Sequence, residues 1–539
     1  MTEAVSDLLR RLDAPTLEFL VGPDLVRATS GAIETNRTQG LAELVMLRYG
    51  HKVFHQKDVR ESIINVLPLD RAKEICVTLG VPAESNPYQK INHYFRNNSE
   101  NKSKEFISVL GLNIPDDFIY KTVTDERPAK ETIQTSYGTI SNRRFLHPFQ
   151  KRIKDRALKK VLDNAGGFMI HMPTGAGKTA TSLELAVDIF RSPHQRRHIT
   201  WLVNDTVLAE QAFDTFAQLW AQKGDKPLDA YRFYNKFTPE FNSNEPGFVC
   251  ATFDKFFSSL RPDHANRPNA LSLIENTGIL IVDEAHTTMA DTYFQVVFQF
   301  RNTRGNSQVI GLSATPAHSD INENIVLRNF YGHDLISVED EQDNPVENAI
   351  TYLQEGEYLA KLKHISIDTN ISCDSIDEGR TCRELSENPE RNNLIIDQMR
   401  DAINRSEPTL FFACTKDHVF VLTVLANKAG LKTEFIVGET TSTERERILN
   451  DFRAGKLLII INHEILATGV DVPNVRRVVI TRPVGSAILY SQIIGRALRG
   501  KLNGGGTEPN TIISIRDNIQ NYGDEAILFD IFMSRFHGN

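Results

Sequence analysis

The sequence predicts an α/β protein: a mainly helical N-terminal domain followed by two α/β units in series, each built on a parallel sheet. Three observations predict it. Short apolar runs alternate with longer amphipathic stretches in two separate blocks, the pattern of strand–helix–strand units that bury a sheet on both faces. The blocks are separated by roughly residues 319–385, where the alternation breaks. The first ~135 residues instead space their apolar side chains as helices do. The chain has 539 residues, enough for about three or four domains, and the expected divisions are 1–135, 136–330 and 331–539.

In the N-terminal part, Leu41–Tyr49 and Asp58–Leu67 carry helical periodicity, punctuated by Pro68, Pro82, Pro87 and Pro115. Its charge is nearly balanced, so it is not a basic arm. The polar stretch from Thr122 to Ile140, with Pro128 and Gly138, is expected to be a linker. The first block then offers strands at Phe168–His171, Ile199–Val203, Phe248–Ala251, Gly278–Val282 and Gln308–Leu312. The second offers Thr409–Ala413, Thr433–Val437, Leu457–Ile461, Arg477–Ile480 and Thr511–Ile515. Gly504–Gly506 is expected in a surface loop, and no repeat is visible.

Composition narrows the class. Hydrophobic residues make up 40% and charged residues 24%, which excludes collagen-like and wholly disordered chains. The net charge of −8 argues against a histone-like surface but leaves room for a local basic groove. Five cysteines without a C-x-x-C pair make a zinc ribbon improbable and suit buried thiols in a reducing cytoplasm. The opening MTEAVSDLLRRLDAP has no apolar signal core, and no run of about 18 apolar residues exists. A cytoplasmic protein with no membrane partner is expected.

Two motifs carry chemistry. HMPTGAGKTA (His171 to Ala180) follows a strand and opens a helix. Its loop of Pro173, Thr174, Gly175, Ala176 and Gly177 can turn backbone N–H groups around an anion at the positive end of the helix. Lys178 can reach β- and γ-phosphate oxygens, and the Thr179 hydroxyl can ligate Mg²⁺. A plain glycine turn explains the glycines but not Lys-Thr at the helix start. ILIVDEAH (Ile279 to His286) is a buried strand with acids at its carboxyl end, the edge where open α/β sheets bind ligands. Asp283 would hold Mg²⁺ and Glu284 would orient or deprotonate an attacking water. Alone, the two acids could be a solvated helix cap.

With these residues in view, the chain resembles the superfamily 2 helicases and translocases. MPTGAGKT, DEAH and SAT (Ser313–Thr315) are similar to motifs I, II and III, ATGVDVP (Ala467 to Pro473) to motif V and QIIGRALRG (Gln492 to Gly500) to motif VI. Weaker matches fall in order: PFQ (Pro148–Gln150) to the adenine-sensing glutamine motif, LVNDTVLAEQ (Leu202 to Gln211) to Ia, ATFDKF (Ala251 to Phe256) to Ib and FFACT (Phe411 to Thr415) to IV. The branch with restriction-enzyme motor subunits and RadD-like DNA repair proteins looks nearest, and YLQEGEYLA (Tyr352 to Ala360) also resembles it. The resemblance implies two tandem RecA-like domains that bind ATP and Mg²⁺ between them. It implies that Gln150, Gly469 and Asp471 lie at the nucleotide or hinge. It implies that Gln492, Arg496 and Arg499 act catalytically from the second domain, the two arginines as fingers. His286, Ser313 and Thr315 would couple the ATP site to the strand track. Arg496 and Arg499, three apart on an expected helix, would share a face.

The resemblance also implies a sugar–phosphate track held by Thr206, Thr252, Thr415 and Thr468, blind to sequence and weakened by salt. DNA is expected ahead of RNA. The basic stretch from Ser141 to Lys160, with Asp155 its only acid, could line this track or be a solvated helix face. His55-Gln56-Lys57 has an H-x-K shape with no nuclease acid cluster to match it. The expected activity is ATP hydrolysis coupled to opening and closing of the two domains on nucleic acid. The alternative is a non-translocating ATP switch that clamps nucleic acid or a partner protein in a restriction, repair or phage-defence complex. The N-terminal domain is a candidate partner dock.

Overall fold

The structure is a computed structural model that describes residues 3–33, 36–82, 86–96, 100–112, 127–135, 146–164, 166–193, 197–285, 288, 291–302, 307–314, 331–332, 334–373, 377–467, 472, 474–485, 487–503, 505–506 and 508–519. Helices make up the part before residue 112. After it come two sheets. The first has eight strands in the order β1-β4-β5-β3-β6-β7-β2-β8, parallel except where β1 meets β4. The second has six in the order β11-β12-β10-β13-β14-β9, all parallel. This is the tandem RecA-like arrangement the sequence predicts.

In the first sheet, β2 (Phe168–His171), β3 (His198–Val203), β5 (Gly247–Thr252), β6 (Thr277–Val282) and β7 (Gln308–Ser313) fall on the expected runs. Each is apolar on both faces and almost wholly buried, which is why it reads plainly in sequence. In the second sheet, β10 (Thr409–Phe412), β11 (Glu434–Ile436), β12 (Ile459–Asn462), β13 (Arg477–Ile480) and β14 (Asn510–Ile519) do the same.

Four strands escape the sequence reading. β1 (Lys130–Ile133) lies inside the expected linker and pairs with β4 (Leu228–Phe233) at the sheet edge. In β4, Arg232 breaks the apolar run; it is 2% exposed and pairs with Glu131 at 2.6 Å and Glu210 at 3.2 Å. β8 (Leu335–Ile336) pairs with β2, so the first sheet extends beyond residue 330. β9 (Leu362–Cys373) lies where the strand–helix pattern breaks. It is an edge strand whose alternating polar residues face solvent.

Among the described residues, the helical part shares its core with the second unit rather than with the unit that follows it in the chain. Helices Pro23–Ile33 and Arg37–Tyr49 pack on helix Lys416–Lys428 of the second unit, and their apolar side chains form one continuous core with it. Lys416–Lys428 buries nearly every residue from His418 to Val424, so it is covered on both sides. Asp24 and Arg27 add outer ion pairs to Arg383 at 3.8 Å and Glu387 at 3.5 Å. All five cysteines are free and buried. Among the described residues no helix is long and apolar enough to cross a membrane.

Candidate active site

The site forms where the carboxyl ends of β2 and β6 meet the end of the helix Ala487–Gly495 from the second unit. After β2 the chain turns through Gly175 (φ +81°) and Gly177 (φ +82°), left-handed values that glycine adopts without strain, and enters the helix Lys178–Arg191. A side chain at Gly177 would collide with the Gln150 amide. Gln150 is itself buried: its Nε2 donates to the Ala176 carbonyl at 2.8 Å, and its Oε1 accepts from the His147 N–H at 2.9 Å. The glutamine motif therefore braces the phosphate loop directly.

Lys178 Nζ lies 2.8 Å from Glu284 Oε1 and 3.2 Å from Asp283 Oδ1. The Thr179 hydroxyl donates to Asp283 Oδ2 at 3.4 Å. Motifs 104 residues apart thus meet in one buried cluster. Burial works against the Lys178 ammonium, but Glu284 and Asp283 outweigh it and raise its pKa. Burial likewise raises the Asp283 carboxyl, opposed by Lys178 and reinforced by Glu284. Glu284 has φ +51°, a left-handed conformation that costs a non-glycine residue of order 1 kcal/mol or more.

The second unit closes onto this cluster. Gly495 approaches Thr174 so closely that a Cβ there would lie 3.0 Å from Thr174 Cβ. One built on Gly175 would lie 3.1 Å from Leu498 Cβ and 3.5 Å from Leu359 Cδ2. Burial lowers the Arg496 pKa to about 10, opposed by the negative charge of Glu284.

One expectation is corrected here. The helix ends at Gly495, so Arg496 lies in the turn after it and Arg499 in an extended bridge with Leu359. The two arginines do not share a helix face. Gly495 weakens the helix, and pairing with Leu359 requires extended backbone. Gln492 occupies the last helical turn, and its carbonyl accepts from Arg496 Nε at 3.4 Å. Pro173 accepts the Ala176 N–H within the loop at 3.0 Å.

Ser313 is fully buried at the end of β7, and its carbonyl accepts the Met172 N–H at 3.2 Å. The neighbouring His171 was not singled out by the sequence. Its Nε2 sits 3.2 Å from the Ala314 carbonyl, and burial lowers its pKa to about 4, so it links motifs I and III as a neutral ring. His286, Thr315, Thr468, Gly469 and Asp471 lie outside the described residues.

The three described track candidates, Thr206, Thr252 and Thr415, lie at or just after carboxyl ends of strands, each at a helix start. Thr206 is exposed directly after the capping residue Asp205. Thr252 is buried and accepts from the Lys255 N–H at 3.4 Å; Thr415 accepts from the His418 N–H at 3.0 Å. These two hydroxyls are spent on capping their own helices. Half of the six basic residues of helix Pro148–Leu162 are ion-paired: Lys154 with Asp188, Arg156 with Glu339 and Lys160 with Asp334; Arg152 donates to the Glu339 carbonyl, and Lys151 and Lys159 are exposed.

The groups present fit a magnesium nucleotide. Thr179 and Asp283 are hard oxygen donors side by side, as Mg²⁺ requires. Within the first unit, one buried ammonium against two carboxylates leaves an excess negative charge that a divalent cation would offset.

Two family models match the chain. The family described as Type III restriction enzyme, res subunit, matches residues 145–318, and the Helicase conserved C-terminal domain matches residues 390–501. The chain is 23% identical over 371 residues to a Saccharomyces cerevisiae protein bearing the name ATP-dependent helicase IRC3, covering 66% of this chain and 49% of the relative. It is 26% identical over 389 residues to the EcoKI type I restriction enzyme endonuclease subunit of Escherichia coli, covering 64% of this chain and 32% of that one. The chain therefore spans half or less of the length of these relatives. Among solved structures it is similar to the DUF1998 helicase MrfA bound to DNA, with TM-score 0.49 and 17% identity over 78% of this chain and 54% of that one.

Proposed function

We propose, for a chain that belongs to superfamily 2 of the helicases and translocases, that it hydrolyses ATP in the cleft between its two RecA-like units and uses the cycle to move along DNA. The observation that carries this reading is the meeting of Lys178, Thr179, Asp283 and Glu284 under the Thr174–Gly495 contact, with Arg496 next in the chain after Gly495. Phosphoryl transfer needs charge neutralised on the transferred group and a positioned water. Lys178 supplies charge from the first unit, and Arg496 and Arg499 supply it from the second. Glu284 orients the water and takes its proton. Mg²⁺, held by Thr179 and Asp283, supplies further neutralisation when bound. The catalytic set spans two units, so it is complete only in the closed cleft, and cleavage releases that closure.

The division of labour we propose gives ATP binding to the unit from β1 to β8, the arginines to the unit from β9 onward together with the connector between β8 and β9 (residues 337–361), and an accessory role to the helical part. DNA is supported by the restriction-enzyme names of the matched family and of one relative. Thr206 is the best placed of the candidate track hydroxyls. ATP turnover with single-stranded, duplex and forked DNA and with RNA, at two salt concentrations, tests the reading. DNA-stimulated turnover that rises with DNA length and weakens with salt supports translocation. Turnover that ignores DNA length supports the non-translocating switch, and none under any polynucleotide refutes both.

A further inference from the structure

The connector between the two units is fastened at both of its sides. Toward the second unit it forms a short ladder with the end of motif VI. The Ala360 N–H donates to the Leu498 carbonyl at 2.9 Å, the Gly500 N–H to Tyr358 at 3.2 Å and the Leu502 N–H to Glu357 at 3.2 Å. Asn503 Nδ2 adds a bond to the Tyr358 carbonyl at 2.8 Å. Toward the first unit, the Tyr358 ring packs edge-on to Phe149 (centroids 4.9 Å, 61°) and against His147 (4.9 Å, 58°). His147 Nε2 closes the circuit to Asn503 Oδ1 at 2.8 Å. His147 and Phe149 flank the start of the helix whose Gln150 holds the phosphate loop.

The turn that presents this ring is built for it. Glu357 adopts a left-handed φ of +60°, and a Cβ at Gly356 would come within 2.7 Å of the Tyr358 ring. The contacts at Tyr358 are made by its ring and main chain, and only Ala497 separates Leu498, bonded to the connector, from Arg496.

We infer that Tyr358 is a positioning residue: its ring latches the connector onto the glutamine motif and so fixes Arg496 and Arg499 over the phosphate loop in the closed cleft. This rests on the ATPase reading above and adds to it the part that sets the arginines' place. It follows that Tyr358 acts on turnover through the arginines rather than on nucleotide capture by the first unit. A misplacement of about 1 Å can cost roughly 100-fold in rate.

The test compares wild type, Tyr358→Ala, Tyr358→Phe and Gly356→Ala for ATP turnover with a single-stranded oligodeoxynucleotide, ADP affinity and melting temperature. Amide exchange at Gly500 and Leu502 is followed in parallel. Tyr358→Ala and Gly356→Ala are expected to lower kcat by roughly 10- to 100-fold, keep ADP affinity and speed exchange at both amides; Tyr358→Phe restores turnover. In an Arg496→Ala/Arg499→Ala background, Tyr358→Ala is expected to add less than about twofold, because both losses act through the same two groups. Wild-type turnover in Tyr358→Ala and Gly356→Ala, independent multiplication with the arginine double variant, or an equal loss of ADP affinity overturns the latch. If wild type consumes no ATP, the ATPase reading fails; exchange at Gly500 and Leu502 still decides the latch, and rates unchanged by Tyr358→Ala overturn it.

Discussion

A single methyl group added at Gly495 tests whether the two units meet as described. The new Cβ would sit 3.0 Å from Thr174 Cβ, with Thr174 Cγ2 closer still. Carbon atoms in contact prefer about 3.5–4.0 Å, so motif VI must retreat from the phosphate loop by roughly 0.5–1 Å even if the Thr174 methyl rotates away. Arg496 follows Gly495 directly and moves with it. A displacement of that size at a catalytic group costs up to about 10²-fold in rate. The local backbone should not suffer, because Gly495 is the last residue of its helix, has no left-handed φ and so accepts alanine without strain. The assay is steady-state ATP hydrolysis at saturating ATP and oligodeoxynucleotide, with ADP affinity and melting temperature as controls. Gly495→Ala is expected to lose most of its kcat with both controls unchanged. Thr174→Ser, which removes Cγ2, is expected to recover part of the loss when combined with it. Full activity in Gly495→Ala, or a double variant no better than the single after correction for Thr174→Ser alone, would refute the close approach as a feature of the working cleft.

Lys178→Ala is expected to weaken ATP binding and abolish turnover, while Glu284→Gln keeps ATP bound and lowers turnover by about 10²–10⁴-fold; rapid-quench measurement of ATP cleavage separates binding from chemistry, and wild-type cleavage in Glu284→Gln would remove it from the mechanism. His198 is buried on β3 and its pKa is held down to about 4 by that burial, so its stabilising effect is present above the unfolded value of about 6.5 and is lost as pH falls toward 4. Between pH 7 and pH 5 this is about 2 kcal/mol. Both tryptophans, Trp201 and Trp220, lie in the first unit, so urea unfolding followed by their fluorescence should show that loss in wild type and a shallower one in His198→Phe; equal slopes would contradict it. Deleting residues 1–112 uncovers helix Lys416–Lys428, and lowered melting temperature or aggregation is expected; a soluble truncation that melts like wild type would show that the docked face contributes nothing.

Local chemistry decided what the sequence determined by itself. The strands buried on both faces read as continuous apolar runs, and the phosphate loop and DEAH acids are legible because turn geometry and charge demand those residue types at that spacing. Tertiary structure decided the rest. β4 carries Asp229 and a buried Arg232 whose partners lie on other segments, and β9 presents polar residues because it is an edge. The docking of the helical part on the second unit leaves no local trace, since an apolar helix face does not say what covers it. The end of the motif VI helix at Gly495 is set by the approach of Thr174 and by pairing with Leu359, both distant in sequence. His171 and Tyr358 looked ordinary because the groups they touch, Ala314, Phe149 and His147, lie more than a hundred residues away along the chain. Periodicity and motif spacing report what a residue needs nearby; only the folded chain brings together the two halves of a cleft.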